Sequence, residues 1–177
     1  MALDGIAVSN IIYELNKSLI GGRIDKIYQP QKDEIVMSVR NNGTSKLLLS
    51  ANPSHPRLHI TTIQRENPIT APMFCMVLRK HIAGSRILSI SQYGLERIAS
   101  IKVEAMNEMG DMVERNLIIE IMGKYSNIML VDENGRILDC IKRVSHETSS
   151  VREVLPGKDL DMKAMHPYTR ALMGAVF

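Results

Sequence analysis

Hydrophobic residues near the start of the chain recur at the spacing of a helix. The apolar positions concerned are Val8, Ile11, Ile12, Leu15 and Leu19. They share one face of a 3.6-residue period. Asp4 precedes them and has a side chain suited to a helix N-cap, and Gly21-Gly22 follows them and can end a helix. The pattern predicts a first helix from Asp4 to the two glycines.

Short alternating or apolar segments follow this helix, and turn residues separate them. Such segments are typical of strands. The first four predicted strands are residues 23–28, 34–40, 45–50 and 57–62. Asn42-Gly43, between the second and third of these segments, has the composition of a type I′ turn, whose positive φ angles match the twist of paired strands. A hairpin is therefore predicted there.

A second helix is predicted between two prolines and a glycine, from Met73 to Gly84. We expect Met73 and Met76 of this helix to fill the core, because methionine adapts to irregular gaps. Five more predicted strands are residues 87–93, 97–106, 113–122, 126–131 and 136–141, with a hairpin at Asn134-Gly135. Nine strands and two helices predict an α+β fold, a β-rich sandwich or open barrel.

The end of the chain differs from the rest. From residue 145 the sequence is polar and irregular, and it closes on an apolar stretch, residues 169–177, that is predicted to be helical. We therefore expect a β-rich domain over residues 1–157. Residues 158–177 are expected to be a linker and the start of a truncated helical segment, because such an uncovered apolar end is typical of a fragment.

Composition narrows the class of protein. Hydrophobic residues make up 45% of the chain and charged residues 23%, which is ordinary for a globular protein. No apolar run approaches the roughly 20 residues of a membrane span, and a signal peptide is missing, so we expect a cytoplasmic protein with no membrane partner. Cys75 and Cys140 lack a CxxC partner. Both are predicted to be buried apolar side chains.

The net charge of +3 is concentrated in one stretch, residues 73–97. Its basic residues are Arg79, Lys80, Arg86 and Arg97, and its one acidic residue is Glu96. Two interpretations stay open. The stretch could form one positive face that holds a phosphate backbone. Alternatively, it is a solvated helix end, where cations are favoured by the helix dipole.

Catalytic motifs are missing from the sequence. It contains neither G-x-S-x-G nor H-E-x-x-H. His55 and His59 are four residues apart in a segment predicted to be extended, so they share no helical face for a metal and are interpreted as ordinary surface histidines. Lys124, after Gly123, is either a phosphate contact or an exposed lysine in a turn. We predict no catalytic residue, no metal and no cofactor.

Five segments, in chain order, resemble the N-terminal domain of the NFACT family. They are MALDG at 1–5, PRLHIT at 56–61, PMFCMVLRKH at 72–81, LERI at 95–98 and MGKYSNI at 122–128. The resemblance runs from Met1 to about Gly157. It covers the first part of such a protein.

The resemblance implies a role in ribosome-associated quality control. Full-length members bind a large ribosomal subunit obstructed by peptidyl-tRNA and recruit alanyl-tRNA, so that alanine is added to the stalled chain without mRNA. An early Asp and a later Asp-Arg pair are required for this tailing in the family, and they correspond to Asp4, Glu96 and Arg97. Glu at position 96 departs from the pattern. It keeps the carboxylate and lengthens the side chain by one methylene.

Each of these three residues has a chemical role that fits tRNA and a simpler one. Arg97 can pair with a phosphate or stack on a base, and Glu96 can orient Arg97 or accept hydrogen bonds from a base or a ribose. In the simpler interpretation, Asp4 only caps the first helix and Glu96-Arg97 only ends a strand turn.

The family fold is similar to the N-terminal β-sandwich of formamidopyrimidine DNA glycosylases. Those enzymes use an N-terminal proline amine as nucleophile, and this chain has Ala2-Leu3 instead, so we do not expect an enzyme. Two alternatives remain. One is a surface adhesin for fibronectin, as an older family label says, which would require surface display. The other is a structural module whose RNA contacts are made by missing C-terminal parts.

Overall fold

The computed structural model describes residues 3–144 and 154–160. Within these ranges the chain forms two α-helices, nine strands and one 3₁₀ turn. The elements are α1 (Gly5–Leu19), β1 (Arg23–Gln31), β2 (Glu34–Arg40), β3 (Thr44–Ser50), β4 (Arg57–Thr61), α2 (Met73–Ile82), β5 (Arg86–Gln92), β6 (Ile98–Met106), β7 (Met112–Glu120), the 3₁₀ turn (Gly123–Tyr125), β8 (Asn127–Val131) and β9 (Ile137–Cys140). The predicted α+β class is confirmed.

The predicted signals at both ends of α1 are confirmed. One carboxylate oxygen of Asp4 accepts a hydrogen bond of 2.7 Å from the amide of Ala7, which satisfies one of the free N–H groups of the first turn. After the helix, Gly21 has a φ of 83°, which glycine adopts without steric cost. The chain thus turns directly from α1 into β1.

All nine strands lie in one open antiparallel sheet. Their order is β4-β3-β2-β1-β5-β6-β7-β8-β9. The sheet consists of two meanders, β1 to β4 and β5 to β9, that meet at a single residue pair, Arg23 with Arg86. Both helices contact both meanders, since α1 packs on β4, β5 and β6, and α2 packs on β1, β6 and β9. The two halves therefore share one core. The predicted similarity of this fold to the N-terminal domain of formamidopyrimidine DNA glycosylases stays a prediction.

The two hairpins predicted from Asn-Gly pairs are confirmed. Asn42 and Gly43 have φ angles of 53° and 128° and connect β2 to β3. Gly135, with a φ of 83°, lies in the turn between β8 and β9. In both cases the residue type that tolerates a positive φ stands where the strands need it.

The burial of the cysteines confirms one expectation, and the burial of α2 contradicts another. Cys75 is fully buried and Cys140 nearly so, and both are free thiols, as predicted. Met73 and Met76, however, are 66% and 53% exposed, so their predicted role in the core is wrong. The buried face of α2 is formed by Phe74, Cys75, Leu78 and Ile82. A helix places only one face against the core, and these four residues occupy it.

The last described residues return to the sheet. The amide of Ile137 donates to the carbonyl of Lys158 over 2.7 Å, and Val154 pairs with Val144. The domain boundary predicted at residue 157 stays a prediction, and the helix predicted over 169–177 lies outside the described residues. No helix in the described ranges has the length and apolarity needed to cross a membrane.

Candidate functional site

The N-terminus of α1 packs against the turn between β5 and β6. A Cβ at Gly5 would overlap the carbonyl oxygen of Leu95, so the two backbones are in direct contact. The side-chain amide of Gln92 donates to the carbonyls of Gly5, at 2.8 Å, and Glu96, at 2.6 Å. Because Asp4 is next to Gly5, this packing brings the start of the helix and the Glu96-Arg97 pair into one region.

The turn itself is tight and partly exposed. The amide of Glu96 donates to the carbonyl of Tyr93 over 3.0 Å, and Gly94 has a φ of 58°. Leu95 is 65% exposed, whereas Glu96 and Arg97 are half-buried. Burial raises the pKa of the Glu96 carboxyl, and the adjacent Arg97 guanidinium partly offsets this effect.

Lys124 lies at the same end of the sheet as Arg97. The amide of Ile121 donates to the carbonyl of Arg97 over 2.8 Å, so the 3₁₀ turn that follows β7 begins beside Arg97. Lys124 in this turn is exposed, and its ammonium lies 5.1 Å from the ring centre of Tyr125. We call Asp4, Glu96, Arg97 and Lys124 the turn site.

Asp4 combines its capping bond with an accessible carboxylate. The side chain is exposed, and the capping bond uses the Oδ1 oxygen. The simpler role predicted for Asp4 is thus present in the structure. A contact of the same carboxylate with RNA stays a prediction.

The other basic residues of the 73–97 stretch do not join the turn site. Arg86 begins β5, and the six residue steps from there to Gln92 at the end of the strand span roughly 20 Å. Arg97 lies beyond that end, after the turn between β5 and β6. The single positive face, one of the two interpretations left open by the charge pattern, is therefore divided. Residues at the two ends of an extended strand are farther apart than residues at the two ends of a helix with the same number of residues.

Arg79 and Lys80 already have partners. The Nε of Arg79 donates to the carbonyl of Ile27 over 2.8 Å, and its guanidinium lies 5.5 Å from the ring centre of Tyr28. Arg79 thereby covers the edge of β1 beyond its junction with β5. Lys80 forms an exposed ion pair of 3.5 Å with Glu108. Their predicted phosphate contacts stay predictions.

A second basic region lies where the two meanders meet. Arg23 is paired with Arg40 of β2 on one side and with Arg86 of β5 on the other. We call these three residues the arginine row. Beside it is a groove of about 250 Å³ whose lining includes Lys80 and His81. No sequence pattern marks Arg23 and Arg40, because only the strand register brings them next to Arg86.

His81 lies in this groove at the end of α2. Its pKa is lowered by burial first and then by the nearby charges of Arg115 and Lys80, while Glu108 acts in the opposite direction. The Arg115 guanidinium also donates to the backbone carbonyl of His81 over 2.6 Å. The imidazole is therefore held among cations.

Metal and thiol chemistry find no support in the described ranges. Residues 3–144 and 154–160 contain no group of three or more His, Cys, Asp and Glu side chains that could hold a metal ion. His55 is exposed, and His59 accepts a hydrogen bond of 3.2 Å from Arg57. Burial and the neighbouring Asp139 raise the pKa of the Cys140 thiol to about 12, so this buried thiol stays protonated at neutral pH.

Residues 4–162 match the family model described as the NFACT N-terminal and middle domains. The chain belongs to the NFACT family. This NFACT chain is 47% identical over 161 residues to the Rqc2 homolog RqcH of Bacillus subtilis, an alignment that covers 90% of the chain and 28% of that relative. It is also 28% identical over 143 residues to the human ribosome quality control complex subunit NEMF, covering 80% of the chain and 12% of NEMF.

A solved structure shares the fold of this NFACT chain. The N-terminal domain of fibronectin-binding protein PavA from Streptococcus pneumoniae matches with a TM-score of 0.87 and 41% identity, covering 98% of the chain and 68% of that structure. The chain spans less than a third of the length of RqcH from Bacillus subtilis.

Proposed function

We propose that this chain is the N-terminal tRNA- and ribosome-binding module of a ribosome-associated quality control factor. The whole factor would recruit alanyl-tRNA to obstructed large ribosomal subunits for alanine tailing without mRNA. The module has no active site of its own, and the ribosome makes the peptide bonds. Membership of the NFACT family and the names of the relatives RqcH and NEMF support this proposal.

One structural observation carries the proposal to particular residues. The family resemblance associates Asp4 and the adjacent pair Glu96-Arg97 with tailing. Asp4 is far from that pair in the sequence, and the contact of Gly5 with Leu95 brings their backbones together. Gln92 fixes this contact with two hydrogen bonds. A site for a ligand needs such a rigid arrangement, because loosely held side chains lose entropy when they bind.

The charges of the turn site favour selective contacts over general attraction to RNA. Two carboxylates, Asp4 and Glu96, balance two cations, Arg97 and Lys124. Arg97 can pair with a phosphate or stack on an unpaired base, and the carboxylates can accept hydrogen bonds from ribose hydroxyls or base amino groups. A site with balanced charge recognises shape and hydrogen-bonding groups, as tRNA selection requires.

The first experiment measures fluorescence anisotropy of labelled alanyl-tRNA with the chain over a series of salt concentrations. A labelled RNA duplex of similar charge is measured in parallel. The wild-type chain should bind the tRNA more tightly than the duplex at equal salt. Arg97→Ala and Glu96→Ala should reduce this advantage by about tenfold, because direct contacts to RNA are each worth roughly 1–3 kcal/mol.

Lys32→Ala is the matched control. Lys32 is exposed in the turn between β1 and β2, away from the turn site, and the change removes the same charge as Arg97→Ala. Circular dichroism checks that each variant is folded. Equal binding of tRNA and duplex by the wild-type chain, or an unchanged tRNA advantage in folded Arg97→Ala, would contradict the proposal.

A second candidate function comes from the name of the solved structure. PavA is named a fibronectin-binding protein, and its N-terminal domain shares the fold of this chain. If this chain bound fibronectin, immobilised fibronectin should retain it saturably at physiological salt. We expect no saturable retention, and saturable binding that excess tRNA does not displace would favour the adhesin.

A further inference from the structure

Three arginines stand side by side on neighbouring strands. Arg40 of β2 is the register partner of Arg23 in β1, and Arg23 is in turn the partner of Arg86 in β5. Directly paired residues of antiparallel strands point to the same face of a sheet. The arginine row therefore presents three like charges on one face, and all three residues are exposed.

Arg23 and Arg86 are especially close. The amide of Ile24 donates to the carbonyl of Ser85 over 2.9 Å, and the amide of Ile87 donates to the carbonyl of Gly22 over 2.8 Å. These bonds flank the arginines, so the two form a non-hydrogen-bonded pair, in which Cα atoms are about 4.5 Å apart and side chains approach most closely.

Such an arrangement opposes folding unless an anion compensates it. Like charges directly opposite each other on a sheet destabilise it. In the ranges 3–144 and 154–160 no ion pair involves Arg23, Arg40 or Arg86. Arg23 donates one hydrogen bond of 3.1 Å to the carbonyl of Gly84, which leaves its charge in place. Glu104, the partner of Arg86 on β6, supplies one negative charge against three positive ones.

The groove beside the row limits what the ligand can be. It is lined by Arg23, Lys80 and Arg86 together with Glu104, and its volume is about 250 Å³. Pockets for whole small molecules hold about 300–1,000 Å³. The groove is thus better suited to one phosphate and its sugar within a polymer than to a complete metabolite.

We propose that the arginine row and its groove bind the phosphodiester backbone of an RNA helix. Guanidinium groups pair with phosphate oxygens through two parallel hydrogen bonds, and a row of them matches a polymer of repeated phosphates. The choice of RNA as the polyanion rests on the proposed function. The contact itself is separate from the turn site, and it reads no base.

The test uses the 177-residue chain and a fluorescein-labelled RNA duplex of arbitrary sequence. Arg40→Gln and Arg86→Gln are combined, and Arg23 is kept because of its bond to Gly84. Affinity for the duplex should fall by about tenfold or more. The slope of log K against log salt should become shallower by about one to two, because each phosphate contact contributes roughly 0.7–0.9 to the magnitude of this slope.

A double variant of equal charge is the control. Lys32→Gln with Arg136→Gln removes two exposed cations away from the row, at the β1–β2 and β8–β9 turns, and it should leave affinity and slope nearly unchanged. Thermal unfolding should show that the row variant is at least as stable as the wild type, because repulsion has been removed.

Two results would overturn the inference. One is an equal loss of affinity in both double variants, which would indicate attraction by net charge alone. The other is competition by poly-glutamate as effective as that by RNA of equal charge, which would point to an acidic polypeptide. Failure of the turn site gives a different pattern, because Arg97→Ala then leaves the tRNA advantage intact while the row variant still loses duplex binding.

Discussion

The turn site and the arginine row lie roughly 20 Å apart along β5, and they arrange charge in opposite ways. The turn site collects four residues from three separate segments and balances its charges. The arginine row takes one residue from each of three strands, and all have the same sign. The first arrangement favours selectivity, and the second favours affinity that depends on salt. If the proposed function holds, one small sheet carries the selective and the salt-dependent part of RNA binding at different places.

The largest effect that separates the two regions should come from Gly5→Ala. The added methyl group meets the backbone of Leu95, so α1 must shift against the β5–β6 turn. We expect the free energy of unfolding to fall by about 1–3 kcal/mol, as in overpacked cores. Urea denaturation measures this loss. The tRNA advantage should disappear in the folded variant, whereas duplex binding by the arginine row should persist.

Ser9→Ala serves as the control for Gly5→Ala, because Ser9 is exposed on the same helix. It should change neither stability nor binding appreciably. An unaltered tRNA advantage in Gly5→Ala would show that the helix start and the turn need no fixed arrangement for binding, and the comparison between the two regions would lose its basis.

A smaller effect should distinguish the two roles of Asp4. Asp4→Ala removes the cap on the amide of Ala7 and should cost about 0.5–2 kcal/mol of stability. Asp4→Asn keeps a capping oxygen and should retain nearly all stability, but it loses the negative charge. If Asp4 contacts tRNA, both variants should weaken selective binding. Wild-type binding by Asp4→Asn would leave the residue with its capping role alone.

The smallest effect concerns pH at the arginine row. Burial, Arg115 and Lys80 hold the pKa of His81 below its ordinary value of 6.5, against the influence of Glu108. Phosphates bound beside Arg23 and Arg86 would raise this pKa, so binding takes up a proton. Duplex affinity should therefore rise a few-fold as pH falls from about 7.5 to 6.

His81→Asn should remove that part of the pH dependence, and anisotropy titrations at several pH values measure it. Without RNA, the stability of the domain depends on pH in the opposite direction and falls as pH falls. A folded-state pKa below 6.5 means that the contribution of His81 to stability is complete above 6.5 and is lost as pH falls toward the folded-state value. An identical pH profile in the wild type and His81→Asn would exclude a contribution of His81 to RNA binding in the groove.

Local signals predicted the fold well because each acts over a few residues. Asp4 and Gly21 limit α1, and Asn42-Gly43 forms its hairpin, since capping and positive φ depend on the residue type at that position. The side of α2 that faces the core depends on the whole helix face, which is why Met73 and Met76 were misassigned.

The candidate sites are harder to predict from the sequence, because they depend on the register between strands. The 73–97 charge cluster suggested one positive face, but β5 carries Arg86 away from Arg97. Arg40 lies 17 positions after Arg23 in the chain, and no sequence pattern indicates that they are partners. The residues of the turn site were named through the family resemblance, and the contact of Gly5 with Leu95 explains how their backbones come together.

The seam between the two meanders has a consequence for dynamics. One pair, Arg23 with Arg86, joins β1 to β5, and four backbone hydrogen bonds surround it, so a local opening of the sheet at the seam breaks these four bonds while the shared core stays packed. A polyanion that binds both arginines would stabilise the closed state of the seam. Hydrogen–deuterium exchange at the amides of Ile24 and Ile87 should then slow on RNA binding. RNA bound at the arginine row would thus make the seam more rigid, far from the turn site.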